Sequence, residues 1–433
     1  MTAAPLATVA SLAAHEGNTV TLRGWLYNAS GKGKILFMQL RDGSGIVQCV
    51  CNRAELGDEV FDQLRHLGQE SSLVVEGVVR ADTRSKLGFE LHVSAAAVVS
   101  AATGYPITPK EHGPAFLHDH RHLWVRSRRQ AAILRVRHLA VQAIRNYFDA
   151  RGFTLFDAPI FTPNACEGTS TLFETDYFGR PAYLSQSGQL YGEAGAFALG
   201  KIYVFGPTFR AEKSGTRRHL TEFWMVEPEL AWAELTEIMD LAEDFLVECV
   251  GHVVQHGRGA LQELERDISA LERVQKPFPR MSYDEAAAIL AGIGHPVDPE
   301  DDFGSPHETE LTKLYDRPIM VHHYPTAVKA FYMKEDPANP SRALGVDVLA
   351  PEGYGEIIGG GEREDRLDVL LRKIDEHKLP MSAFEWYLDL RRFGSVPHGG
   401  FGLGLERFVT WVCGIPHIRE TVPFPRTIDR LTP

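Results

Sequence analysis

Residues 206–229 concentrate side chains able to hold a charged, ring-bearing ligand. Arg210 and Glu212 come first, Arg218 and His219 follow a charged, glycine-containing stretch, and Phe223 stands where the apolar run resumes. The pattern reads as two strands joined by a loop. Alternate side chains of a strand share a face, so Arg210 and Glu212 are expected to point the same way. A guanidinium is a planar fork of donors that suits phosphate oxygens better than an ammonium does. Beside it, an acid can accept from a ring and Phe223 can stack on it. The alternative is a solvated hairpin with surface ion pairs, but such hairpins rarely carry so many large apolar residues among their charges.

A second set lies near the C-terminus, where Gly402 and Gly404 precede Glu406 and Arg407 at the start of a helix. That places a guanidinium where helix N-termini already favour anions. A dinucleotide-binding reading of the glycines fails, because no acidic residue on a following strand stands about 20 residues on.

The elements that must position these groups are legible in outline. Apolar content of 44% and charged content of 24% are those of an ordinary globular protein, and 433 residues suffice for two or three cores. No apolar run nears the roughly 20 residues of a membrane span. The N-terminus lacks the basic start and apolar core of a signal peptide. Cys49, Cys51, Cys166, Cys249 and Cys413 are scattered and odd in number, which fits reduced thiols and a cytoplasmic location.

Residues 1–103 read as strands at 20–27, 35–40, 46–51, 72–79 and 89–93, with a helical piece at 55–67 after the third. That is the order of an OB-fold β-barrel, a common platform for single-stranded nucleic acid. Phe37 and Gln48 fall on neighbouring strands, where one could stack on a base and the other read its edge.

Residues 104–130 read as a linker rich in glycine and proline. An amphipathic helix over 131–151 follows, then a strand interrupted by Pro159, which belongs at an edge or contact point. Helices are expected at 233–256, up to about 271, at 282–292 behind a Ser282/Glu285 capping box, and at 382–392. Residues 257–312 carry no motif and read as an insertion. The net charge is −12, yet residues 110–151 hold nine Lys/Arg against three acids. Such a segment is either a polyanion track or a helix with a solvated cationic face.

Together these segments resemble the class II aminoacyl-tRNA synthetases. Pro159 after an amphipathic helix, Arg210 and Glu212 with Arg218, His219 and Phe223, and Gly402 to Arg407 are similar to that class's motifs 1, 2 and 3. The barrel, with Gly24, Trp25, Phe37 and Gln48, resembles the anticodon-binding domain of the aspartyl/asparaginyl/lysyl subgroup. The resemblance spans essentially the whole chain. It implies an α+β protein in which residues 131–433 form a catalytic domain with an antiparallel sheet flanked by helices.

The resemblance also implies roles. Arg210 would meet the ATP α-phosphate, Glu212 and Phe223 the adenine, and Arg218, His219 and Arg407 the outer phosphates, with Gly404 beside them. Asp347 and Glu356 would hold Mg2+ by hard oxygen donors. Glu167 and Gln189 would hold the amino acid's α-amino end. The aspartyl enzymes carry a lysine three residues after the position matching Gln189; here Gly192 stands there, with Glu193 next to it. Glu193 and Arg363 are therefore expected to read a side-chain amide, and both surrounding segments resemble the asparaginyl branch. The implied activity is ATP-dependent ligation of L-asparagine to tRNA through an adenylate, with Arg210 and Arg407 as catalytic groups. An aspartyl enzyme of relaxed tRNA specificity, an RNA-binding paralogue, and an amide-forming relative are the alternatives. Motif 1 implies a homodimer. Where subgroup members often place arginines after the Gly-Trp pair, this chain has Lys32 and Lys34.

Overall fold

Alternation of buried and more exposed side chains marks the N-terminal strands. The computed structural model describes residues 4–85, 87–163, 172–213, 215–298 and 301–432. They form two compact units, Met1–Leu117 and His118–Pro433. In the first, β1 (Thr19–Lys32), β2 (Ile35–Arg41), β3 (Ile46–Asn52), β4 (Ser72–Ala81) and β5 (Phe89–Ser100) close a barrel in the order β1-β2-β3-β5-β4. The helices α1 (Arg53–Leu56) and α2 (Asp58–Arg65) follow β3. Leu36, Met38, Leu40, Val47, Cys49 and Cys51 point inward and are buried. The two cysteines are core residues, as their strand placement implies.

The second unit begins with short helices, α3 (Pro114–Asp119) and α4 (Arg121–Trp124), the first straddling the division between units. Helix α5 (Arg128–Ala150) starts earlier than its periodicity predicts because Ser127 caps it, its side chain accepting from Gln130 N. Pro159 splits the next strand into β6 (Thr154–Leu155) and β7 (Phe161–Thr162), and β7 joins β8 (Glu174–Tyr177) and β9 (Arg180–Leu184) in a small sheet. Helix α6 (Gln189–Leu199), β10 (Lys201–Phe209) and β11 (Glu222–Ala231) follow.

Helix α7 (Leu235–Glu263) runs past its expected end near 256, and the second expected piece shrinks to a short helix ending at Glu272. Gly257 does not end it: a Cβ there would come 2.9 Å from Leu139 Cδ1, so the glycine permits close packing against α5. Residues 257–312 are built into the unit. They supply the end of α7, α8 (Ile268–Glu272), β12 (Arg280–Ser282), α9 (Tyr283–Gly292) and α10 (Ser305–Thr312). The capping box forms: Glu285 N donates to Ser282 Oγ and Ser282 N to Glu285 Oε2.

The remaining strands are β13 (Ile319–His322), β14 (Glu335–Asp336), β15 (Asn339–Ala343), β16 (Gly345–Ala350), β17 (Gly355–Glu362) and β18 (His398–Gly404), with α11 (Leu367–Glu376), α12 (Met381–Arg392) and α13 (Leu405–Cys413). The main sheet has eight strands in the order β12-β13-β16-β17-β18-β11-β10-β6. Its central pairs are antiparallel, while both edge strands, β12 and β6, pair parallel, so the sheet is mixed rather than wholly antiparallel. One face packs on α5 and α7 through Tyr203, Val226, Val346, Val348, Phe401 and Leu403. The period of two then sends Glu227, Glu229, Asp347, Gly400 and Gly402 to the other face. That face carries the site.

Candidate active site

The strand β10 ends at Phe209, so Arg210 and Glu212 stand just beyond it and not within a regular strand. They nevertheless line one cavity together with Arg218, His219, Phe223, Glu356, Gly404 and Arg407, which joins every nucleotide residue expected from the sequence. The Arg210 guanidinium carbon lies 5.5 Å over the Phe223 ring. His219 Nε2 stands 3.8 Å from Glu212 and its Nδ1 is 2.5 Å from Thr216 Oγ1. Burial, and then the charge of Arg407, lower the His219 pKa. Arg407 donates to the Glu356 carboxylate at 2.9 Å and to its carbonyl at 3.1 Å.

Arg218 is held by residues that lack a sequence motif. It donates to Glu308 (3.2 Å), Thr309 Oγ1 (2.8 Å) and Gly353 O (2.6 Å), so α10 sets its direction. Glu308 also accepts from Glu356 N at 3.1 Å. Burial, then the Glu356 charge, push the Glu308 carboxyl up to about 7.

A second cavity opens over the same sheet face, lined by Gln189, Glu227, Glu229, Tyr332, Asp347 and Arg363 among others. The two cavities share Arg210, Met225, Glu356 and Gly402. Gly402 leaves the floor open at that junction: a Cβ there would come 2.5 Å from Met225 Cε. In the second cavity Arg363 donates to Glu229 through Nη2 at 2.5 Å and Nε at 3.3 Å, both residues being buried. Burial pushes the Glu229 carboxyl up to about 7 against the pull of Arg363, with Glu193 and Glu227 adding to the rise. Glu227 accepts from Ser187 Oγ and Gly188 N, which fixes the turn into α6 and hence the start of Gln189.

The structure does not bring Glu193 to this cavity. Its carboxylate is fully buried and taken up by Tyr387, Arg391, His398 and Gln189. Glu229 is the carboxylate that stands beside Arg363 instead. The sequence reading missed it, although Glu227 and Glu229 alternate with Val226 and so face away from the core. Gly192 lies over it: a Cβ there would sit 3.3 Å from Glu229 Cγ. Glu167 lies outside the described residues.

Asp347 and Glu356 fit a bound Mg2+. Asp347 Oδ2 accepts from Lys329 at 2.7 Å and Glu356 Oε2 from Arg407, leaving the other oxygen of each turned toward Gly359. A Cβ at Gly359 would come 3.0 Å from Glu356 Oε1 and 3.5 Å from Asp347 Oδ1. No group of three or more acidic, His or Cys side chains able to hold a metal occurs among the described residues. Mg2+ is usually held by one or two carboxylates with substrate phosphates and waters, a donor set with which this pair is compatible.

On the barrel, Phe37 is 40% exposed and pairs with Val50, next to the Gln39–Gln48 pair. Gln48 Nε2 donates to Glu90 at 3.1 Å. Trp25, also exposed, lies under the Arg41 guanidinium at 5.0 Å on the same outer surface. The basic segment divides. Arg121 is buried against carbonyls of residues 420–423, Arg129 binds Glu420, Arg137 binds Glu406 and Arg151 binds Asp244 and Glu248. For those four the structural role prevails over a polyanion track.

Comparison with known proteins agrees with this geometry. Residues 114–428 match the family model for class II tRNA synthetases (D, K and N), and residues 20–99 match the OB-fold nucleic acid binding domain. The chain belongs to the class II tRNA synthetases of the D, K and N group. Within that family it is similar to the asparagine–tRNA ligase of Sorangium cellulosum, at 58% identity over 99% of both chains. It is 56% identical to that of Koribacter versatilis over the full length of both. The solved asparaginyl-tRNA synthetase from Pyrococcus horikoshii, complexed with asparaginyl-adenylate, is 46% identical with a TM-score of 0.94 over 97% of each chain. These relatives place the chain in the asparagine–tRNA ligase branch of the family.

Proposed function

We propose that the protein ligates L-asparagine to tRNA in two steps through an asparaginyl-adenylate. The observation that carries this reading is the junction of the two cavities at Arg210. One cavity has the groups for a nucleotide triphosphate and the other a buried donor–acceptor pair, so an amino acid's carboxylate and an α-phosphate meet there. Glu229 accepts from a side-chain amide nitrogen and Arg363 donates to its oxygen. A substrate carboxylate would face Glu229 unfavourably, which favours asparagine over aspartate.

In the first step the asparagine carboxylate attacks the α-phosphorus of ATP in line, and pyrophosphate leaves. Arg210 stabilises charge on the α-phosphate, while Arg218, His219 and Arg407 hold the outer phosphates. Glu212 accepts from the adenine amine and Phe223 stacks on the ring. Asp347 and Glu356 would hold Mg2+, which supplies positive charge against the phosphate oxygens when bound. In the second step the 3′-hydroxyl of the terminal tRNA ribose attacks the acyl carbon and AMP leaves. No side chain stands as a dedicated base, so positioning and preorganised charge supply the acceleration. Phe37 stacks on an anticodon base and Gln48 hydrogen-bonds its edge.

The active unit is a homodimer. Phe161 (52% exposed), Tyr177 (40%) and Phe178 (88%) form a ring-to-ring apolar strip on the sheet that Pro159 sets apart, a surface that a second copy would cover. Cys49, Cys51, Cys249 and Cys413 are buried free thiols, in keeping with a cytoplasmic protein, and among the described residues no helix is long and apolar enough to cross a membrane. Amino-acid-dependent ATP–pyrophosphate exchange tests the reading. Exchange with asparagine and little with aspartate is expected; the reverse order would transfer the chain to the aspartyl alternative.

A further inference from the structure

Glu193 is fully buried, yet Arg391 and His398 outweigh that burial and hold its carboxyl below the usual range, and nothing in the two-step chemistry uses it directly. Four side chains from three elements converge on its two oxygens. Tyr387 of α12 donates its hydroxyl at 2.8 and 2.9 Å, and Arg391 of the same helix donates at 2.7 Å. His398 of β18 approaches at 3.0 Å, and Gln189, one helical turn away on α6, gives its amide nitrogen at 3.1 Å.

The contact with Gln189 has a consequence at the cavity. A carboxylate only accepts, so it must face the amide NH2 group and repels the carbonyl oxygen. The amide is planar, so fixing its nitrogen inward turns its oxygen outward. Gln189 lines the amino-acid cavity, together with Glu229 and Arg363. The group presented there is therefore an acceptor, and the donor an amino acid offers beside its carboxylate is the α-ammonium. The backbone of Gln189 is fixed as well, its N–H donating to Ser187 Oγ at 3.1 Å. The same cluster also anchors the other reader, since Arg363 N donates to His398 O at 2.9 Å.

We propose that Glu193 is a positioning residue: it locks the Gln189 amide with its oxygen toward the cavity, so that the site selects the α-ammonium group of asparagine without Glu193 touching substrate. This rests on asparagine being the bound amino acid, and absence of asparagine-dependent exchange in the unaltered enzyme would overturn that reading separately.

The test compares asparagine with succinamic acid, which is asparagine lacking its amino group, as a competitive inhibitor of exchange. The unaltered enzyme is expected to favour asparagine at least about 10-fold, the worth of one charge-assisted hydrogen bond. In Glu193→Gln that advantage falls about 10-fold, because the Gln189 amide is no longer held one way round. Succinamate affinity, the KM for ATP and the preference for asparagine over aspartate stay within about 3-fold, a pattern that general loosening of the fold would not give. Glu193→Asp guards against misfolding: it keeps the buried charge beside Arg391 but withdraws it from Gln189, and the same narrowing is expected. An unchanged asparagine-to-succinamate ratio in a folded variant overturns the proposal. So does collapse of the asparagine-to-aspartate ratio instead, which would make Glu193 a direct reader of the side-chain amide.

Discussion

Replacing Glu229 by Gln is expected to alter amino-acid recognition at the one point where asparagine and aspartate differ. The substitution keeps shape and leaves a carbonyl to receive Arg363, now 2.5 Å from Glu229 Oε1, but removes the charge. A hydrogen bond to a charged group contributes about 1.5–3 kcal/mol, so kcat/KM for asparagine in the exchange assay should fall about 10- to 150-fold. The preference over aspartate should narrow as well, since the repulsion of a second carboxylate is gone. A pH series adds an independent readout. Burial pushes the Glu229 carboxyl up to about 7 against the pull of Arg363, so its charged, accepting form prevails above that pH and is lost below it. The KM for asparagine should then rise as pH falls below about 7, and this limb should vanish in the variant. An unchanged kcat/KM with an intact preference for asparagine would refute the assignment of Glu229.

Four further outcomes are expected. Arg407→Ala should lower the rate of adenylate formation at least ~100-fold, as loss of a preorganised donor on developing charge does, and near-normal exchange would count against its placement. Glu308→Ala should raise the KM for ATP about 10-fold by removing one of the two α10 side chains that hold Arg218, with little change in the KM for asparagine, as steady-state exchange would reveal. Phe37→Ala should weaken tRNA charging about 10-fold through lost stacking, while exchange, which contains no tRNA, keeps its rate. Phe178→Asp, which adds a charge to a strip now 88% exposed at that position, should shift the sedimentation mass from dimer toward monomer.

The barrel was legible because side chains along strands such as β2 alternate in burial: Leu36, Met38 and Leu40 face in and Phe37 faces out, and a one-residue slip would reverse every one of them. The residues that line the first cavity were legible because Arg210, Glu212, Arg218, His219, Phe223 and Arg407 sit in compact, chemically unusual runs. The extent of helix α7 was misjudged because close packing overrides local glycine propensity, a Cβ at Gly257 coming 2.9 Å from Leu139 of α5. The anchoring role of residues 257–312 was invisible, because Glu308 meets Arg218 across 90 positions of sequence.

The amino-acid pocket marks the boundary between the two kinds of information. The sequence by itself showed Gly192 and Glu193 where the aspartyl enzymes carry a lysine, and the resemblance paired Glu193 with Arg363, since residue type and local spacing are written in the chain. Which carboxylate stands beside Arg363 at the open cavity was decided by the tertiary structure. Glu193 and Glu229 are both buried, but Tyr387, Arg391 and His398 close over the first from other elements, and β11 turns the second toward Arg363 and the open cavity. Burial and partners, which set what a carboxylate can do, are properties of chain segments that meet only on folding.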